Sequence, residues 1–139
     1  MRGISPMGAF QNKSILVIDD DVGMLHALTK VLVGEGCTVA SAASSTVAME
    51  YLLEGNRNLD LIITDIRMPL LDGMEVLEIV KANRPTVPVI VITAYGGPEA
   101  EAEAHESGAA GYLEKPVDSP KLLEAIRRAL SNSQEATSS

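Results

Sequence analysis

The sequence predicts an α/β fold in which five parallel strands form one doubly wound sheet and five helices cover its two faces. The first observation is a series of short, almost continuous apolar runs rich in Ile and Val, which is typical of parallel strands covered on both faces. The second is that longer segments with apolar residues at helical spacing separate these runs. Regular alternation of strands and helices predicts one sheet with helical crossover connections.

Five segments are predicted as strands. The third and fourth give the strongest signal because β-branched residues dominate them, whereas the second and the fifth are weaker. In chain order, the predicted strands are Ser14–Asp19, Thr38–Ala42, Leu59–Thr64, Val87–Thr93 and Ala110–Leu113.

The first three helices have recognisable start and stop residues. Gly34 or Gly36 ends the first helix, and Ser44 or Ser45 caps the second. The third helix ends before Pro85, because the residue before a proline disfavours helical geometry. The expected inward-facing residues of these helices are Leu25, Leu28, Leu32, Val47, Ala48, Tyr51, Leu52, Met74, Leu77 and either Val80 or Lys81.

The last two helices differ in how firmly they are expected to pack. The segment Glu99–Glu106 alternates Glu with Ala, so it predicts a helix with few large side chains in the core and a candidate for movement. Asp118 is the expected N-cap of the fifth helix, with Pro120 in its first turn. The expected inner face of that helix is Leu123, Ile126 and Leu130.

Composition limits the class of protein. The 139 residues correspond to one domain, and the net charge of −8 disfavours direct contact with nucleic acid or with an anionic membrane. No apolar segment approaches the roughly 18 residues of a membrane span. The single cysteine, Cys37, cannot form an internal disulfide, which favours a reducing, cytoplasmic location. We expect a flexible arm over residues 1–12, the domain over 13–131, and a flexible tail or the start of a linker over 132–139.

Polar side chains lie at the carboxyl ends of four of the five predicted strands. Asp19, Asp20 and Asp21 lie at the end of the first strand, Asp65 follows the third, Thr93 ends the fourth and Lys115 follows the fifth. The carboxyl ends of parallel strands share one edge of the sheet, so these groups are expected to converge there. Neighbouring carboxylates repel one another, and a cation bound only by oxygen relieves this, which favours Mg²⁺, with Mn²⁺ as an alternative. A lysine there is suited to a phosphoryl oxygen.

These positions, taken in order, resemble the receiver domain of two-component response regulators over about residues 13–131. The resemblance rests on an acidic pair after the first strand, an aspartate after the third, a hydroxyl after the fourth and Lys-Pro after the fifth, at intervals that suit the family. The sequence of Asp65–Pro69, DIRMP, is most similar to receivers of nitrogen-regulator-type transcription activators. The resemblance implies a flavodoxin-like strand order of 2-1-3-4-5. Further matching segments are Leu71–Gly73 (LDG) and Gly108–Tyr112 (GAAGY).

The resemblance also implies the roles of the polar residues. Asp65 is the expected phosphoacceptor. Mg²⁺ is expected to be held directly by Asp20 and Asp65, through water by Asp19, and by the backbone carbonyl of Arg67. Lys115 is expected to bind phosphoryl oxygens of the acceptor.

Other residues are implied to act after phosphoryl transfer. Thr93 and Tyr112 are the expected switch residues, which move towards the new phosphate and alter the face formed by the fourth helix, fifth strand and fifth helix. Arg67 and Tyr95, two residues after the phosphoacceptor and the switch hydroxyl, are expected to tune the lifetime of the phosphate. Both are large, which predicts slow hydrolysis. The bond between Lys115 and Pro116 is typically cis in the family.

The predicted function is therefore a phosphoacceptor signalling module rather than an enzyme acting on a separate substrate. Its implied partners are a sensor histidine kinase or phosphotransfer protein, and an output domain or effector protein that belongs either to the same full-length chain or to another. The resemblance also allows a homodimer formed on phosphorylation. No direct nucleic-acid contact by this domain and no membrane contact are expected.

Two other function classes use similar residues. A phosphatase of the haloacid-dehalogenase type combines aspartate, Thr or Ser, Lys and Mg²⁺, but its nucleophile lies on the first strand in an Asp-x-Asp pattern and a cap insertion follows. In this chain the spacing is too short for a cap, and the best candidate nucleophile follows the third strand. A flavodoxin-like electron carrier needs a Ser/Thr-rich loop after the first strand and aromatic rings beside the flavin, whereas this chain has acids there and 3% aromatic residues. Considered alone, the acidic run Asp19–Asp21 is also typical of a solvated turn. Considered alone, Lys115 is also typical of an ordinary surface lysine.

Overall fold

The computed structural model describes residues 10–54, 58–66, 73–83, 85–94 and 96–138. Within these residues five strands alternate with five helices, which confirms the predicted fold class. The strands are β1 Ser14–Ile18, β2 Thr38–Ala42, β3 Leu61–Asp65, β4 Val89–Thr93 and β5 Gly111–Glu114. The helices are α1 Val22–Gly34, α2 Ser45–Leu53, α3 Gly73–Asn83, α4 Pro98–Glu106 and α5 Ser119–Ser138.

All neighbouring strands are parallel, and their order in the sheet is β2-β1-β3-β4-β5, as predicted. The chain first adds β2 on one side of β1 and then returns to add β3, β4 and β5 on the other side. The order therefore reverses between β1 and β3. In open α/β sheets the crevice at such a reversal, beyond the carboxyl ends of the strands, is where binding sites form.

Each face of the sheet has its own apolar core. Helices α1 and α5 cover one face, and α2, α3 and α4 cover the other. Every residue of β3 and β4 is buried, which explains why these two segments gave the clearest strand signal. The predicted inner face of α1 is confirmed, since its three leucines are buried: Leu25, Leu28 and Leu32.

Caps and a proline account for several element boundaries. The hydroxyl of Ser44 accepts a hydrogen bond from the Val47 N–H at 3.3 Å and so caps α2. Asp118 caps α5 in the same way, because its carboxylate accepts from the Lys121 N–H at 2.8 Å. Strand β4 begins two residues later than predicted, since Pro88 has no N–H to donate to the ladder.

Helix α4 is attached to the core by a single fully buried side chain, that of Ala104, which agrees with the expectation of weak packing. The inner face of α5 differs from the prediction by one position at each end. Leu122, Ile126 and Ala129 are buried, whereas Leu123 and Leu130 are half-buried at the flanks. The rotation of α5 about its own axis determines that Leu122 and Ala129, rather than their neighbours Leu123 and Leu130, face the sheet.

Among the described residues, structured segments extend on both sides of the predicted domain bounds of 13–131. Phe10, assigned to the flexible arm, is buried in the α1/α5 core, and the Asn12 N–H donates to the Gly36 carbonyl at 2.9 Å. Helix α5 continues through residue 138, although a tail was expected from residue 132. Residues 131–138 contain no Gly or Pro, and Gln134, Glu135 and Ala136 favour helix. Within the described residues, no helix has both the length and the apolar character needed to cross a membrane.

Candidate functional site

The first component of the site is the acidic run that follows β1. Asp19 is 2% exposed, and its backbone N–H donates to the Ala42 carbonyl at 3.1 Å, which continues the pairing with β2. One oxygen of its carboxylate accepts a hydrogen bond from the Asp21 N–H at 2.9 Å. Asp20 is exposed, and Asp21 caps α1 by accepting from the Met24 N–H at 3.2 Å. The three consecutive acids therefore have three different environments.

The second component is the end of β3. Asp65 is the last residue of this strand and is 7% exposed. The preceding residue, Thr64, is fully buried, and its hydroxyl donates to the Asp65 carbonyl at 3.1 Å. Because β1 and β3 are adjacent and parallel, the Asp65 carboxylate meets the acids that follow β1.

Lys115 joins the two components. Its backbone N–H donates to the Thr93 carbonyl at 2.8 Å, which places it just beyond the carboxyl ends of β4 and β5. Its side chain extends back across the edge of the sheet, and Nζ lies 3.0 Å from Oδ2 of Asp19 and 3.0 Å from Oδ2 of Asp65. One ammonium group therefore bridges two buried carboxylates. The peptide bond between Lys115 and Pro116 is cis, as expected.

The pKa values of Asp19 and Lys115 both lie above their usual values, for different reasons. Burial raises the pKa of Asp19, and the hydrogen bonds from Asp21 and Lys115 offset this only in part. Burial lowers the pKa of Lys115, but hydrogen bonds to Asp65 and Asp19 outweigh it, so the pKa lies above its usual value. The lysine is therefore held in its cationic form beside the two carboxylates.

The same carboxylates are suited to a divalent cation. Asp19, Asp20 and Asp65 each present an oxygen, and these three atoms lie within 4.8 Å of one another. The lysine neutralises one of the three negative charges, so the cluster keeps a net negative charge. A donor set made only of oxygen fits Mg²⁺ or Mn²⁺. Arg67, the predicted donor of a backbone carbonyl, lies outside the described residues.

The two predicted switch residues lie on neighbouring strands. Thr93 ends β4 and is fully buried. Tyr112 is half-buried in β5, and its hydroxyl accepts a hydrogen bond from the Gly97 N–H at 3.3 Å. Burial is the main reason that the pKa of Tyr112 is raised. Tyr95, the predicted lifetime residue, lies outside the described residues.

The structure thus brings together Asp19, Asp20, Asp65 and Lys115, and places Thr93 and Tyr112 at the adjoining strand ends. One residue that sequence reasoning did not single out, Glu114, places its carboxylate near the Tyr112 hydroxyl, because a Cβ atom built on Gly96 would overlap with both oxygens. The available signal was its position two residues after Tyr112, which puts both side chains on one face of a strand. The phosphatase alternative finds no support, because α1 begins three residues after Asp19 and leaves no room for a cap insertion there.

Comparisons with known proteins agree with this geometry. The family profile described as response regulator receiver domain matches residues 15–127. The transcriptional regulatory protein ZraR of Escherichia coli O157:H7 is 40% identical over 121 residues, which are 87% of this chain and 27% of ZraR. The DNA-binding transcriptional regulator NtrC of Escherichia coli K12 is 34% identical over 125 residues, which are 90% of this chain and 26% of NtrC. The chain therefore spans about a quarter of the length of these curated relatives.

Solved structures give the same result. The crystal structure of a response regulator receiver domain protein from Clostridium thermocellum has a TM-score of 0.82 and 35% identity, covering 89% of this chain and 98% of that one. The solution structure of the beryllofluoride-activated NtrC4 receiver domain dimer has a TM-score of 0.79 and 29% identity, covering 86% of this chain and 98% of that one.

Proposed function

This chain belongs to the response regulator receiver domain family, and we propose that it accepts a phosphoryl group on Asp65 from a phosphohistidine donor. The observation that carries the proposal is the bridge made by Lys115, whose Nζ lies 3.0 Å from both Asp19 and Asp65 beside the exposed Asp20. A nucleophilic carboxylate, a fixed cation and spare acidic oxygens are the groups that phosphoryl transfer needs.

The chemical step is an in-line displacement. An oxygen of the Asp65 carboxylate attacks phosphorus, an O–P bond forms, and the P–N bond to the donor imidazole breaks. The electron pair of that bond returns to the imidazole. Lys115 binds the phosphoryl oxygens and offsets their charge, while Asp19 orients the lysine from the opposite side. A divalent cation held by Asp19, Asp20 and Asp65 would supply further charge compensation, with Arg67 as an additional carbonyl ligand.

The response to phosphorylation is a movement on the α4-β5-α5 side of the domain. The new phosphate adds a charge of about −1.5 to −2, which attracts the Thr93 hydroxyl, and Tyr112 moves inward after it. Helix α4, held by the single buried side chain of Ala104, is the element most easily displaced. A groove of about 490 Å³ between α4, β5 and α5 is the surface whose shape would change.

The proposed partners follow from this role. A sensor histidine kinase or a phosphotransfer protein supplies the phosphoryl group, and an output domain or effector protein reads the altered face. Relatives such as ZraR and NtrC are transcriptional regulators of which a receiver like this one forms about a quarter, so an output domain in the same full-length chain is part of the proposal. The proposal places the protein in the cytoplasm and allows a homodimer on phosphorylation. Arg67 and Tyr95 are proposed to slow hydrolysis of the phosphate.

Intact mass spectrometry tests the central claim. The protein is incubated with acetyl phosphate and Mg²⁺ and weighed beside Asp65→Asn and a matched control, Asp118→Asn, which alters an exposed aspartate outside the site. We expect a gain of about 80 Da, one phosphoryl group, on the wild type and on Asp118→Asn only. The gain should require Mg²⁺ and be removed by hydroxylamine, as an acyl phosphate is. Equal labelling of Asp65→Asn would refute Asp65 as the acceptor.

A further inference from the structure

A short segment ahead of β1 packs against the end of the domain opposite the acidic site. We call it the strap, and it consists of residues 10–13. It lies at the amino ends of the parallel strands, whereas Asp19 and Asp65 lie at the carboxyl ends, beyond the five residues of β1 or about 16 Å away. The match to the receiver family begins at residue 15, so the strap is a feature of this chain outside the matched region.

The strap is a tight turn that faces the loop between α1 and β2. The Phe10 carbonyl accepts a hydrogen bond from the Lys13 N–H at 3.1 Å, and Asn12 has a positive φ of +66°, a conformation in which Asn is enriched. The Asn12 N–H donates to the Gly36 carbonyl at 2.9 Å. A Cβ atom on Gly36 would lie 2.9 Å from the side-chain oxygen of Gln11, so the lack of a side chain at Gly36 leaves room for the strap.

A buried aromatic ring anchors the strap, and a buried thiol lies against it. Phe10 is 6% exposed and belongs to the α1/α5 core, whereas Gln11 and Asn12 are exposed. The Cys37 thiol, in a residue that is 7% exposed, donates to the Phe10 carbonyl with a sulfur–oxygen distance of 3.6 Å. Cys37 immediately precedes β2, the strand at one edge of the sheet. The strap therefore forms part of the cover over this thiol.

We propose that the strap opens and closes as a unit while the sheet and the acidic site stay folded, and that it controls access to the Cys37 thiol. The hydrogen bonds that join residues 10–12 to the rest of the described chain are those with Gly36 and Cys37, so these and one ring can separate at far lower cost than the core. Opening ends at Lys13, whose carbonyl accepts from the Thr38 N–H at 2.8 Å as the pairing of β1 with β2 begins. The inference does not rest on the proposed function, because these contacts lie at the other end of the domain.

The reaction of Cys37 with an aromatic disulfide measures how often the strap is open. The thiolate attacks one sulfur of dithiobis-nitrobenzoate, a mixed disulfide forms, and a thionitrobenzoate anion leaves and is counted by its absorbance. Cys37 is the single cysteine, so the signal reports one position. When closing is faster than reaction, the rate is proportional to the open population. Because Phe10→Ala removes the buried ring, we expect it to react about a hundredfold faster than the wild type.

Urea separates opening of the strap from unfolding of the domain. Opening of a four-residue segment exposes little surface, so below the unfolding transition the wild-type rate should depend only weakly on urea, whereas reaction through global unfolding follows the full equilibrium m-value. Amide exchange gives a second measure, in which the N–H groups of Asn12 and Lys13 should report an opening equilibrium within about threefold of that for the thiol. The N–H of Leu16, in the centre of β1, should be much better protected. Leu53→Ala, which removes an exposed apolar side chain from α2, is the matched control and should leave the thiol rate unchanged.

Three results would overturn the inference. An acceleration below about tenfold in Phe10→Ala would mean that the ring does not keep the thiol covered. A wild-type rate that follows the global m-value would mean that the strap does not open apart from the domain, and a wild-type rate equal to that of free cysteine would mean that it is not closed. The urea dependence uses the wild type, so the test stands even if Phe10→Ala folds poorly. None of these results bears on the labelling of Asp65, so the strap and the proposed function fail independently.

Discussion

Replacement of Lys115 by Met tests the central geometric feature of the site. The change keeps a long apolar side chain and removes the one ammonium group that bridges Asp19 and Asp65. Both carboxylates are nearly buried, with 2% and 7% exposure, so they lose their partner in surroundings that solvate charge poorly. We expect a marked loss of stability without metal, because unpaired buried charges cost more than the ion pair contributed.

Two estimates set the expected decrease in the free energy of unfolding. Removing one partner of a buried ion pair costs about 3–5 kcal/mol. Protonation of one of the two carboxylates removes most of their unpaired charge, and for an aspartate with an unfolded pKa of about 3.9 this costs about 4 kcal/mol at pH 7. We therefore expect Lys115→Met to lower the free energy of unfolding by about 3–4 kcal/mol at pH 7.

The pH dependence of the loss has a definite sign. Burial raises the folded-state pKa of Asp19, and without the lysine that pKa rises further above its unfolded value, so stability falls as the pH rises above that unfolded value. The difference between Lys115→Met and the wild type is therefore expected to shrink to about 2 kcal/mol or less at pH 5.

Urea unfolding measures this difference in EDTA and again with Mg²⁺. A divalent cation that binds the folded carboxylates restores stability by mass action, about 2.7 kcal/mol at one hundred times its dissociation constant. Mg²⁺ should stabilise Lys115→Met more than the wild type, because the cation no longer competes with an ammonium. Lys30→Met, at an exposed position on α1, is the matched control. A loss below about 0.5 kcal/mol in EDTA, the range of an ordinary surface substitution, would refute the reasoning.

Four further predictions concern other parts of the chain. Phe10→Ala should lower the free energy of unfolding by about 3 kcal/mol in urea, because its ring is buried in the α1/α5 core; a loss below 1 kcal/mol would mean that the N-terminal contact is not maintained in solution. Burial raises the pKa of Cys37, so stability should fall as the pH rises above about 9, the unfolded value, and Cys37→Ala should reduce that slope; parallel pH profiles would contradict this. Gly108→Ala should lower the free energy of unfolding by about 1–2 kcal/mol, because Gly108 has a φ of +103°. The double variant with Lys81→Ala should be equally destabilised, and recovery of stability there would mean that overlap with the lysine side chain, not backbone strain, causes the loss. Tyr95→Ala should speed loss of the phosphate measured by intact mass over time, and an unchanged rate would remove Tyr95 from the proposed lifetime role.

Much of the fold was predictable because the signals were local. The Ile- and Val-rich runs of β3 and β4 are buried at every residue, and a strand covered on both faces needs no polar alternation. Ser44 and Asp118 cap α2 and α5 as expected, since a cap depends only on the next three residues. The boundaries were less certain, and the start of β4 depended on Pro88, which cannot donate to a neighbouring strand.

The candidate site was predictable in its members and less so in their arrangement. Asp65, Asp20 and Lys115 could be placed at one edge because the carboxyl ends of parallel strands meet there. Asp19 and Asp20 are adjacent in sequence but differ in burial. Asp19 is buried and pairs with Lys115, whereas Asp20 is exposed to solvent. Glu114 was not assigned a role, because its contact with Tyr112 and the close approach of Gly96 depend on the path of the loop into α4.

The sequence by itself determined the α/β class, the order of the elements and the family, because hydrophobic periodicity, caps and the intervals between polar residues are properties of the chain alone. Only the tertiary structure decided that Lys115 spans two carboxylates, that Phe10 closes the end of one core, and that Leu122 rather than Leu123 faces the sheet. These outcomes depend on how separate elements meet in space. A difference of one residue, or of about 100° around a helix, changes which side chain is buried, and periodicity does not determine that angle.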